Sequence, residues 1–132
     1  MIQPLRTAFC AATALAALAI TLPVAQAQPS HSAGSCFYIT QVSGMKADGA
    51  RTIYARVSGR TIFRFDLAND CNSLKGNSDT LVLRPANSGS ICAPLDMTIG
   101  TRESGEECIV KSIARLSDDE AAALPKSVQP PG

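Results

Sequence analysis

Thr52-Ile53-Tyr54-Ala55-Arg56-Val57-Ser58-Gly59-Arg60-Thr61-Ile62-Phe63-Arg64-Phe65-Asp66-Leu67 is the stretch on which the fold turns. Apolar and polar side chains alternate on both sides of Ser58-Gly59-Arg60, the pattern of two half-buried strands joined by a short loop. With a three-residue loop at 58–60, Ile53, Ala55 and Val57 share a face with Thr61, Phe63, Phe65 and Leu67. A slip of one residue would place Ile62 and Arg64 on that face instead, so burial selects the first register. The glycine stands one place earlier than such loops usually favour. The outward face carries Thr52, Tyr54, Arg56, Ile62, Arg64 and Asp66.

Outward from this hairpin, Cys36 to Leu116 consists of short apolar runs separated by Gly, Asn, Asp, Ser and Pro. Six strands are expected: Phe37 to Val42, Thr52 to Val57, Thr61 to Leu67, Thr80 to Leu83, Asp96 to Thr101 and Ile109 to Ala114. Gly44 and Gly49 read as isolated turn glycines. Ser117-Asp118-Asp119-Glu120 fits a capping box with acids in the first turn, so a short helix should start there and stop at Pro125. The expected fold is mostly β: a small antiparallel sheet, barrel-like or sandwiched, of about six strands with a short C-terminal helix and two disulfides. Residues 36–125 form this single domain, and 126–132, with two adjacent prolines, reads as a disordered tail.

The chain begins with Arg6 beside the free amino group, and the uncharged apolar run Ala8 to Leu22 follows. Pro23 and Ala25-Gln26-Ala27 come next, which together read as a secretory signal peptide at 1–27, cleaved after Ala27. Roughly 15 apolar residues fall short of the about 20 that span a bilayer as a helix, so no transmembrane anchor is expected after cleavage. Gln28 to Ser35 reads as a flexible leader holding the only histidine, His31. Of the 12 basic residues only Arg6 leaves with the signal, so 11 bases face 11 acids. A near-neutral chain is not expected to bind nucleic acid, which requires a basic excess to displace counterions.

Four cysteines remain after cleavage: Cys36, Cys71, Cys92 and Cys108. An even count in a short exported chain reads as two disulfides. No Cys-x-x-Cys pair occurs, which disfavours a thiolate metal site and a redox-active role. Three pairings are possible. If the strands run as a meander, Cys71 and Cys108 lie at one end of the sheet and Cys36 and Cys92 at the other, favouring those two pairs. Any crossover connection would overturn this. Each bridge closes a long loop, and in the chain-entropy model such closures contribute on the order of 3 to 5 kcal/mol.

Catalytic chemistry finds little support in the sequence. His31 lies in the leader, so no nucleophile has a base beside it and no imidazole metal site is expected. Asp66, Asp70 and Asp96 fall at strand ends or loops, where Asp commonly accepts hydrogen bonds from backbone amides. No phosphate or dinucleotide fingerprint is present, and no catalytic residue, cofactor or metal is assigned. Between Arg51 and Arg64 stand four arginines and no acid. On the outward face Tyr54, Arg56 and Arg64 make a candidate contact patch, since Arg and Tyr are favoured in interfaces.

The ordered set Cys36-Phe37, the strand pair 52–67, Cys71-Asn72-Ser73-Leu74, Ile91-Cys92-Ala93-Pro94-Leu95-Asp96, Cys108 to Ile113 and Leu116 to Pro125 resembles a family of small exported Gram-negative proteins of unknown function. Some members of that family have no counterpart of Cys92, which implies Cys71 with Cys108 as the more general pair. The resemblance implies compartment and fold, and brings no substrate. The expected function is a non-enzymatic periplasmic or secreted binding module that contacts another envelope protein. The alternative is a disulfide-stabilised inhibitor of a protease or wall hydrolase, with Ala86 to Ser90 as the reactive loop. A third reading is an enzyme using Asp96 with a second carboxylate.

Overall fold

A computed structural model of the chain describes residues 36–75 and 81–132. The expected signal peptide 1–27, the leader 28–35 with His31, and Thr80 of the fourth expected strand lie outside the described residues. The elements are β1 (Phe37–Tyr38), β2 (Val42–Asp48), β3 (Thr52–Val57), β4 (Thr61–Leu67), β5 (Leu81–Pro85), β6 (Ser90–Ile91), β7 (Met97–Thr101), β8 (Glu107–Arg115) and α1 (Asp118–Ala122). Six strands form a nearly closed antiparallel sheet in the order β2-β3-β4-β8-β7-β5, and β1 pairs with β6 in a separate two-stranded ribbon. The mostly β fold with one short C-terminal helix and two disulfides is therefore as the alternation implies.

The β3–β4 hairpin has the expected register, with Val57 opposite Thr61 and Ile53 opposite Phe65. Ile53, Ala55, Val57, Phe63, Phe65 and Leu67 are buried. The early glycine is accommodated because two consecutive loop residues take left-handed backbone, Ser58 at φ 51° and Gly59 at φ 78°. Only the second is free of steric cost there.

Two expectations about the strands are corrected. The first expected strand, Phe37 to Val42, is interrupted: the Gln41 side chain accepts a hydrogen bond from the Tyr38 amide at 2.8 Å and folds Ile39–Gln41 into a 3-10 turn. The longer strand follows, over Val42–Asp48, and contains Gly44. Gly44 is thus a strand residue, at a bulge where the pairing skips Ser43, whereas Gly49 is a turn glycine at φ 67°. The strands also do not run as a meander, because β4 pairs with β8 and the chain crosses to the far edge to form β5. All neighbours remain antiparallel, so strand directions alternate as a meander's would, and the sorting of cysteines by sheet end survives. Cys71 bridges Cys108 and Cys36 bridges Cys92, with Cα atoms 5.7 and 4.2 Å apart.

The core joins the hairpin's inner face to Leu83, Met97, Ile99 and Val110. The β1–β6 ribbon closes one end of it. Phe37 lies opposite Ile91, both are buried, and the Phe37 ring centroid is 4.9 Å from that of Phe63. Burying side chains of this size contributes about 1.5 to 3 kcal/mol each, so the ribbon is anchored by packing as well as by its bridge.

Residues 126–132, expected to be a disordered tail, instead lie on the outer face of the sheet. Pro130 is buried, and Arg56 donates through Nη2 and Nε to the Pro130 carbonyl at 2.9 and 3.3 Å and through Nε to the Pro131 carbonyl at 3.2 Å. The Leu116 amide donates to the Ile62 carbonyl, steering the chain over that face, and Ile62 is buried although it points away from the core. A guanidinium fork suits two adjacent carbonyls, and prolines lose little chain entropy on docking. A Cβ at Gly44 would clash with the Pro131 carbonyl oxygen, so the tail's approach requires glycine there.

Candidate functional site

The three residues of the expected outward patch have different fates. Tyr54 stands in register between Lys46 of β2 and Arg64 of β4. Arg64 is exposed and pairs with Asp66 at 3.2 Å, and Asp66 also accepts from the Ser112 hydroxyl at 3.0 Å. Arg56, half-buried, is committed to the tail carbonyls and to the Gly59 carbonyl, so its guanidinium donors are largely engaged within the chain. Tyr54 and Arg64 are therefore brought together in adjacent strands, and Arg56 is diverted into holding the chain's own C-terminal segment.

Asp96, Asp70, Glu106 and Glu120 are engaged in hydrogen bonds within the chain. Asp96 Oδ2 accepts from the amides of Cys92 and Ala93, both at 2.8 Å, and these bonds hold its carboxyl below the usual aspartate range. A carboxylate so fixed caps a turn. Asp70 pairs with Arg51, whose hydrogen bond and charge lower its pKa. Glu106 accepts from the Ser73 amide at 2.8 Å, with the same direction of shift from that bond. In the helix cap, Glu120 accepts from the Ser117 amide at 2.8 Å while its own amide donates to the Ser117 hydroxyl, as the capping box implies. No group of three His, Cys, Asp or Glu side chains suited to a metal comes together among the described residues.

The surface with the most distinctive build is the end closed by the Cys36–Cys92 bridge. Cys92 is followed by a 3-10 turn at Pro94–Asp96, which the proline initiates and the Asp96 carboxylate fastens from within. At its apex Leu95 is 85 % exposed. Tyr38, next to Phe37 in the ribbon, is 58 % exposed. The neighbouring loop is tied at both ends: Ala86 donates its amide to the Asp96 carbonyl at 2.7 Å, and the Gly89 carbonyl accepts from the Ile39 amide at 2.8 Å. Gly89 sits at φ 85° with Ile39 packed where a Cβ would point. Between those ties Ala86, Asn87 and Ser88 are exposed.

A leucine left in water on a flexible loop is unremarkable. Here a disulfide, a proline, two amide bonds to a carboxylate and a β ribbon hold it there, so the ordering entropy that a partner would otherwise impose is already spent on folding. Sequence reasoning placed these residues only as a strand start and a loop. The signal it could have used is Pro94-Leu95-Asp96 directly after a bridged cysteine: turn formers on both sides of a large apolar side chain.

Among the described residues no helix is long and apolar enough to cross a membrane. No family model matches the chain, and neither a curated protein nor a solved structure matches it.

Proposed function

We propose that the chain is exported, loses residues 1–27 at Ala27, and acts in the periplasm or outside the cell as a non-enzymatic binding module for another envelope protein. Its contact surface is the Cys36–Cys92 end, led by Leu95 and Tyr38. The observation that carries this reading is Leu95, presented outward on a turn braced by covalent and hydrogen bonds. Two disulfides accord with an oxidising compartment. Large side chains that fill a partner's pocket commonly dominate binding energy.

The test is site-specific photo-crosslinking in cells. A photoreactive residue in place of Leu95 should give one discrete adduct in the envelope fraction, and the same residue in place of Arg64 should not. Equal adducts from both positions, or none from either, would reject the assignment of this end as the contact surface.

A second reading, inhibition of a protease or wall hydrolase, is favoured by the two backbone bonds that fix the 86–90 loop. A rigid, doubly tied loop beside a disulfide resists the opening that cleavage requires. A hydrolase panel assayed with the oxidised protein distinguishes the two: sustained inhibition that is lost on cutting or replacing Asn87-Ser88 supports the inhibitor, and flat responses remove it.

A further inference from the structure

β2 and β5 are the outer strands of the six-stranded sheet, and no described strand pairs with the far side of either. The curl of the sheet brings Leu81, which opens β5, into the same groove as β2 residues 42–46, and the docked tail forms a third wall. The groove encloses about 670 Å³. Val42, Met45 and Leu81 supply its apolar surface, while Lys46 and Lys126 contribute ammonium groups from two different walls. No carboxylate is among its described lining residues.

Three features decide what fits. The long wall is the open edge of a strand, whose amide and carbonyl groups are satisfied best by another extended backbone. The charge is cationic, with Lys46 on the strand wall and Lys126 on the tail wall. Met45 packs toward the core and Lys46 toward the outer face, so a strand laid along residues 42–46 would meet apolar surface beside Met45 and an ammonium beside Lys46. The bulge at Ser43 and the lysine at position 46 are devices by which edge strands resist pairing with copies of themselves. The lysine does not deter a strand of opposite charge, and beyond the bulge residues 44–48 keep regular strand pairing with β3.

We infer that the seam between β2 and β5 is a binding site for an extended acidic segment of another protein, which adds as a strand along β2 with alternate side chains apolar and carboxylate, the latter against Lys46 and Lys126. This site is separate from the Leu95 surface and stands or falls independently of it.

The test uses the purified, oxidised protein and a fluorescent peptide, acetyl-Val-Glu-Val-Glu-Val-Glu-Val-amide, followed by polarisation and by amide shifts in NMR. Saturable binding is expected, with shifts concentrated at residues 42–46 and at Leu81. Lys46→Glu with Lys126→Glu should weaken it at least tenfold, Leu95→Ser should leave it unchanged, and a probe N-methylated at alternate residues should lose binding with its charge intact. The proposal is overturned if the N-methylated probe binds as tightly, if octanoate displaces the peptide and reproduces its shifts, if the shifts fall elsewhere, or if no binding occurs at millimolar peptide. The N-methylated probe keeps the test valid should the double lysine variant misfold.

Discussion

The two disulfides sit at opposite ends of the sheet and do different things. Cys71 and Cys108 are buried at 2 % and 5 % exposure, and their bridge ties the chain after β4 to β8, its neighbour in the sheet. Around it, charges are quietly satisfied: Arg51 with Asp70, Glu106 with the Ser73 amide. Cys36 and Cys92 are exposed, and their bridge fastens a two-stranded ribbon whose inner side chains plug the core while Tyr38 and Leu95 face water. Chain entropy does not separate them. Sequence separations of 37 and 56 each correspond to roughly 4 kcal/mol in the loop-closure model, with a difference near 0.4 kcal/mol. Burial separates them: one bridge lies inside the core, while the other lies at the surface and braces the exposed turn that carries Leu95.

The largest expected effect follows from that difference. Cys71→Ala with Cys108→Ala forfeits the closure term and leaves two small voids in the core. We expect a loss of about 4 to 6 kcal/mol, near the whole stability of a domain this size, read by urea denaturation. The matching Cys36→Ala with Cys92→Ala variant should lose about 2 to 4 kcal/mol, because a freed ribbon regains local motion in the native state. Equal losses, or the reverse order, would break the comparison. Within the presenting end, Gly89→Ala puts a Cβ against Ile39 at a left-handed φ and should cost about 1 to 2 kcal/mol.

How much of this was readable depends on what kind of bond does the work. The β3–β4 register follows from period-two burial, and the α1 cap from a side chain of the right type three residues before its partner. The disulfide pairs were readable for a narrower reason: antiparallel neighbours fix strand direction whatever the strand order, so β4 pairing with β8 did not matter. β2 was hidden because Val42-Ser43-Gly44-Met45 contains a glycine demanded by a contact with residue 131, far away in sequence. Docking of the tail was hidden because Arg56 recognises backbone carbonyls, which every residue possesses. At the candidate site, Leu95 looked like any apolar residue near a strand, and only the turn geometry turns it outward.

Acid titration gives the smallest effect and sharpens the same contrast. Asp96 has its folded pKa lowered from the ordinary 3.8 by the Cys92 and Ala93 amide bonds. A lowered folded value means its contribution is present above that ordinary value and is lost as pH falls below it through the folded value. Between pH 5 and pH 2, Asp96→Asn should flatten the stability decline slightly and loosen residues 92–96 at neutral pH, leaving the Cys71 end unaltered.

The measurement that bears most directly on the division of labour is residue-resolved hydrogen exchange on Cys36→Ala with Cys92→Ala. Protection should collapse over residues 37–41 and 89–96 while amides of β3, β4 and β8 keep the greater part of theirs. A uniform fall across the ribbon and all six strands of the sheet would contradict it, because both ends would then belong to one cooperative unit that either bridge holds equally.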